Sequence, residues 1–261
     1  MYNISFNIEF TLRDDLKNMN SKINILIIVI MVPFFVISII SLVSPHHSTH
    51  AAAPVKTVEV NPSNQSLGNA DYGNVVKMGP YGNTSSPIKI AIIVGVHPLE
   101  YVAHDMAMES IETNIKSLKY CYYIYRVNVT EDPFDYETGR MNGQLLANQF
   151  VVPDITNNSY KLTVDIHSNT GEDDNYDVAW FLNVPIDDNK SSELMNQIIG
   201  KVPGLVSYDP MDPTSPYYVT IPIIENGTPA MIYESYAYDT PDVEQNRMNE
   251  VLSAVDNLSF N

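Results

Sequence analysis

The segment IKIAIIVGVHPLE, residues 88–100, decides the architecture. From Ile88 to Val96 it is apolar except at Lys89 and rich in β-branched residues, the pattern of a strand buried on both faces. Pro98 then suits the first turn of a helix, and Met106, Ile111, Ile115 and Leu118 can share one helical face across residues 99–118. Working outward, strand-like segments follow at 120–128 (YCYYIYRVN), 160–166 (YKLTVDI), 178–184 (VAWFLNV) and 229–235 (PAMIYES), with shorter helices expected at 143–150, 191–201 and 241–257. This alternation predicts an α/β, three-layer sandwich with a mixed, mostly parallel sheet. Sites in such sheets gather beyond the carboxyl ends of the strands. His97, His167 and Glu234 all fall at or just past predicted strand ends.

Their chemistry is informative. VGVHPLE (94–100), VDIHSN (164–169) and MIYESY (231–236) supply His97 and Glu100 three residues apart, then His167, then Glu234. Two neutral imidazoles and a carboxylate form the ligand set of an open catalytic zinc site. A further carboxylate that does not ligate the metal can accept the proton of an activated water. A spacing of three puts His97 and Glu100 on one side of the helical turn. Asp165, two residues before His167, is placed to orient it as an acceptor behind the ligand, although alternation along the strand also allows it to lie alongside without contact. His104, four residues after Glu100, competes for the same face but reads as a helix-surface histidine.

HxxE after the first strand, DIH after an inner strand and a glutamate ending a later strand resemble the zinc carboxypeptidase superfamily. The nearest likeness is its succinylglutamate desuccinylase/aspartoacylase branch, whose middle ligand segment reads Asp-Leu-His. The resemblance spans about residues 88–240. It implies Zn2+ held by His97, Glu100 and His167, with Glu234 as general base and acid. It also implies arginine and asparagine contacts between the second and third ligands, where YETGRMNGQ (136–144) offers Arg140 for the oxyanion and Asn142 for substrate. Arg126 lies in the same interval but within a strand-like run. A substrate-contacting tyrosine upstream of the catalytic glutamate points to Tyr218, with Tyr217 beside it; Trp180 reads as core. Pro98-Leu99 stands where the family usually carries Gly-Asn.

Of the 261 residues, 44% are hydrophobic and 10% aromatic, enough for a packed core. The net charge of −17 argues against a nucleic-acid partner. Cys121 is the only cysteine, which excludes an intrachain disulfide and reads as a core thiol. The uncharged run ILIIVIMVPFFVISIISLV (25–43) would span roughly 28 Å as a helix, about one bilayer. Arg13, Lys17 and Lys22 precede it, which places residues 1–22 in the cytoplasm and the rest outside. The expected organisation is a cytoplasmic tail (1–22), a transmembrane signal anchor (23–43), a stalk or linker (44–86, including HHSTH at 46–50) and a zinc-hydrolase-like domain (87–261) facing outward from the plasma membrane. Seven Asn-X-Ser/Thr sites from Asn64 to Asn257 agree with an outer location. The expected function is hydrolysis of amide bonds in a small peptide, amino-acid conjugate or cell-wall peptide. The alternatives are a catalytically silent surface-binding domain on the same fold and a stalked adhesin.

Overall fold

The computed structural model describes residues 61–260 except 175, 212 and 213. The expected tail, membrane anchor and HHSTH tract lie outside the described residues. Within these residues no helix is long and apolar enough to cross a membrane. Strand β3 (Lys89–Val94) is central, as its sequence requires. Ile90, Ile92 and Val94 enter one core while Ala91 and Ile93 enter the other. This is the two-residue period of a strand covered on both sides.

Around β3 run β1 (Ser63–Ala70), β2 (Gly73–Gly82), β4 (Cys121–Val129), β5 (Leu162–Asn169), β6 (Phe181–Asn183), β7 (Val206–Ser207) and β8 (Ala230–Tyr236), in the order β1-β2-β4-β3-β5-β8-β6-β7. The middle of the sheet, β4-β3-β5-β8, is parallel, and antiparallel pairs join β1 to β2, β2 to β4 and β6 to β8. One face is covered by α1 (Tyr101–Thr113), α4 (Asn189–Ile199) and α7 (Pro241–Val255). The other carries α2 (Tyr136–Leu146), which continues through a π-helical turn (Ala147–Val151) into α3 (Val152–Thr156), together with α6 (Thr220–Glu225) beyond the short α5 (Ser215–Tyr218). The mixed sandwich read from the sequence is therefore present.

Two boundaries differ. Residues 63–82, expected within a linker, form the β1–β2 hairpin, and β2 pairs with β4 along most of its length. β1 is mostly exposed, whereas in β2 Val75 and Tyr81 are buried and Lys77 pairs with Asp154 at 2.7 Å, a strand signal that the Ser, Asn and Gly of the hairpin obscure. The helix expected at 143–150 starts earlier, at Tyr136, because the Asp135 side chain accepts the Thr138 N–H at 2.7 Å and caps it.

Candidate metal centre

His97 is brought to the sheet end by a turn that only glycine permits. Gly95 has φ +88°, and a Cβ there would stand 2.1 Å from the Val127 carbonyl oxygen. A 3-10 turn, Pro98–Glu100, then folds Glu100 back, and its N–H donates to the His97 carbonyl at 3.1 Å. His167 lies on β5 and Glu234 is its register partner on β8, so both face the α2 side. Asp165 and Asn169 share that face by strand alternation.

The three expected ligands converge. His97 Nδ1 is 2.7 Å from Glu100 Oε1, His167 Nδ1 is 2.8 Å from Glu100 Oε2, and the two Nδ1 atoms are 3.0 Å apart. One ligand atom from each of the three residues lies within 4.8 Å of the others. Three lone-pair-bearing atoms crowded at this distance need protons or a cation among them. Two imidazole nitrogens and a carboxylate oxygen suit zinc, whose bonds of about 2.0–2.2 Å fit such a triangle. The residues present therefore fit a metal.

Charge in the cluster is strongly polarised. Burial alone would raise the Glu100 carboxyl, but His97 and His167 outweigh it and hold it well below the usual carboxylate range. Burial pushes His97 down to about 4. It pushes His167 the same way, yet Asp165 and then Glu100 reverse this, leaving His167 well above the usual histidine range. Asp165 Oδ2 stands 3.2 Å from His167 Nε2, although the pair is not aligned as a hydrogen bond. Asp165 thus lies beside the ring nitrogen of His167 that faces away from Glu100.

Glu234, Arg140 and His97 line one narrow cavity of about 30 Å³, closed by Phe181, Thr214 and Pro216. It has room for about one water. Burial pushes the Glu234 carboxyl up to about 8, and Asn169 Nδ2 donates to its Oε2 at 3.1 Å. Arg140 Nη1 donates to Glu100 Oε1 at 3.0 Å and its guanidinium stacks 4.9 Å from the Tyr136 ring.

Other expected residues lie elsewhere. Asn142 does not reach the site; its amide donates to the Glu131 carbonyl at 3.1 Å. Helix geometry explains this, because residues 140 and 144 share a face and 142 lies opposite. Gln144 occupies the place instead, with Nε2 3.1 Å from His97 Nε2. Tyr218 packs against the second core and its carbonyl accepts from Asn148, while Tyr217 is exposed; neither lines the cavity. His104 is buried rather than on the surface, because its face of α1 packs on β5, and its Nε2 lies 3.1 Å from the Ile166 carbonyl. Trp180 packs against the core and Cys121 is a buried free thiol.

Solved structures share this arrangement of elements. A metallo-carboxypeptidase from Burkholderia cenocepacia superposes with a TM-score of 0.50 at 13% identity, covering 75% of this chain and 64% of that one. The chain has the metallo-carboxypeptidase fold. A metallo-carboxypeptidase from Pseudomonas aeruginosa matches with a TM-score of 0.49 at 14% identity, covering 77% of this chain and 63% of that one. A succinylglutamate desuccinylase/aspartoacylase from Rhodobacter sphaeroides matches at 0.45 and 10% identity, covering 78% and 66%. The chain thus spans less than two thirds of the length of either carboxypeptidase. No protein-family model and no curated protein matches the sequence.

Proposed function

We propose that this protein is a zinc-dependent hydrolase of amide bonds, of carboxypeptidase or deacylase type. The observation that carries the proposal is the convergence of His97 Nδ1, His167 Nδ1 and the Glu100 carboxylate, with Glu234 on the neighbouring strand. His97, Glu100 and His167 would hold zinc. Bound there, zinc supplies a Lewis acid for a carbonyl and acidifies water towards neutrality.

The chain's own residues account for the proton and the charge. Glu234 lines the cavity without belonging to the ligand triangle, as a general base and acid must. Its raised affinity for a proton lets it keep one long enough to hand it to a leaving amine. Asn169 fixes the carboxylate through Oε2. Arg140 adds positive charge at the cavity wall, where it offsets negative charge developing on a scissile carbonyl.

A small peptide, amino-acid conjugate or cell-wall peptide suits the domain if, as we also propose, residues 25–43 anchor it facing outward. Protease added to intact cells should then remove the portion beyond residue 43, and protection of that portion refutes the orientation. For the activity, the purified full-length chain should bind one zinc and hydrolyse either C-terminal peptide bonds or N-acyl amino acids. Absence of stoichiometric zinc rejects the proposal. The narrow cavity favours the second reading, a catalytically silent surface-binding domain; zinc binding with no turnover on either substrate class would decide for it.

A further inference from the structure

Gln144 is almost wholly buried, yet its amide oxygen has no hydrogen-bond partner among the described residues. Its amide nitrogen meanwhile sits 3.1 Å from His97 Nε2 and 3.3 Å from Thr214 Oγ1. An amide nitrogen only donates. In this orientation His97 Nε2 must accept, and the ring proton resides on Nδ1, 2.7 Å from Glu100 Oε1. That tautomer has no lone pair on the nitrogen that faces Glu100 and His167.

A ring that ligates a cation through Nδ1 carries its proton on Nε2 and needs an acceptor there. Turning the Gln144 amide by 180° exchanges oxygen and nitrogen with almost no change of shape. The oxygen then accepts from His97 Nε2–H and from the Thr214 hydroxyl, so both contacts survive with the donors reversed. Asp165 already offers an acceptor 3.2 Å from Nε2 of the other imidazole. We propose that Gln144 is the positioning residue for His97, its amide oxygen selecting the tautomer whose Nδ1 is open to the metal.

This inference rests on the metal reading above, and its test separates the two. Zinc affinity of the full-length chain is measured by competition with a chromophoric chelator. Gln144→Met keeps the length and removes both polar atoms, and we expect zinc affinity to fall about 10–100-fold while the metal-free melting temperature stays near that of the parent. Gln144→Glu presents an acceptor in either orientation and should restore affinity to the parent value or better. Equal affinity in parent and Met variant overturns the proposal, as does an equal loss in both variants. A parent chain that binds no zinc removes the metal reading itself. The parent offers an independent readout: on zinc loading, the long-range proton–nitrogen spectrum of the His97 ring should show the Nε2–H tautomer. A ring that keeps its Nδ1 proton overturns the proposal even if no variant folds.

Discussion

Gly143→Ala tests how the site is assembled. A Cβ at this position would stand 1.9 Å from the Val96 carbonyl oxygen and 2.8 Å from its carbon. Both are backbone atoms immediately before His97, so no rotamer change relieves the clash. Reaching a close C···O contact of about 3.3 Å requires α2 to withdraw by about 1.4 Å. Overpacking costs about 1–3 kcal/mol, and a backbone-on-backbone clash belongs at the upper end. Alanine regains about 1 kcal/mol of helix propensity over glycine, leaving a net loss of about 2 kcal/mol. For a unit of this size that lowers the melting temperature by about 4–8 °C. Arg140 and Gln144 ride on the same helix, so their contacts to Glu100 and His97 lengthen together, and zinc affinity should fall about 10-fold or more. Circular-dichroism melting of the metal-free chain and chelator competition measure the two effects. Gly200→Ala, where the nearest atom is 3.3 Å away, is the control and should move neither by much. Parent-like melting and zinc affinity in Gly143→Ala would refute the packing of α2 against Val96.

Glu234→Gln should retain zinc and fold while amide turnover falls by roughly two to four orders of magnitude; near-parent turnover rejects Glu234 as the base. The same variant should change the pH dependence of metal-free stability. The folded chain holds the Glu234 proton up to about pH 8 whereas the unfolded chain releases it near 4.5, so stability falls as pH rises between those values, by at most about 5 kcal/mol. Urea unfolding at pH 5.5 and 8.5 should therefore show Gln gaining up to about 3 kcal/mol on the parent at the higher pH, and parallel profiles count against the buried carboxyl. Asp256 accepts from the Lys119 and Tyr120 N–H groups at 2.8 and 3.2 Å and from the Tyr122 hydroxyl at 3.0 Å. Asp256→Ala strands these donors and should cost about 2–4 kcal/mol, with a loss under about 1 kcal/mol in denaturant titration showing that water replaces them.

The strands flanking the site were legible because each combines an apolar run with a polar residue at its carboxyl end, as in VDIHSN and MIYESY. The candidate ligands were legible from their positions at strand ends together with the family resemblance, and the structure brings His97, Glu100 and His167 within 4.8 Å of one another. The hairpin at 63–82 was not legible, because the edge strand β1 is mostly exposed with few apolar residues, and Gly, Asn and Pro interrupt the apolar positions of β2. The resemblance implies an asparagine near Arg140, and Asn142 is the one that segment offers, whereas a helix face repeats at three and four residues, which selects Gln144. Asn169 could have been found by the same reasoning on a strand, since it stands two residues after His167 and on its face. No local pattern announces that Tyr218 turns towards the second core, because its placement depends on α5 packing against α2 and α6, and on α6 packing against α3 and β8.

Glu100, in the turn beyond β3, and Glu234, on β8, approach β5 from its two sides and both are withdrawn from solvent, yet their proton affinities diverge. Burial raises both. At Glu100 two imidazoles within 2.8 Å reverse the effect and keep the carboxylate ionised. Glu234 accepts from Asn169 through Oε2, with His167 acting from farther away, so burial prevails and the carboxyl retains its proton to about pH 8. An ionised carboxylate wedged between two imidazoles is suited to hold a cation, whereas one poised near neutrality is suited to exchange a proton. A divalent cation on the triangle would lower the proton affinity of Glu234 through its charge, bringing that carboxyl closer to the pH at which a base must be free. The sheet register sets His167 beside Glu234, so under the proposed function a cation held by His167 would act on the proposed base. It follows that removing the cation with a chelator should raise the Glu234 titration point, and that Asn169→Ala, by taking away the hydrogen-bond donor, should raise it with or without the cation.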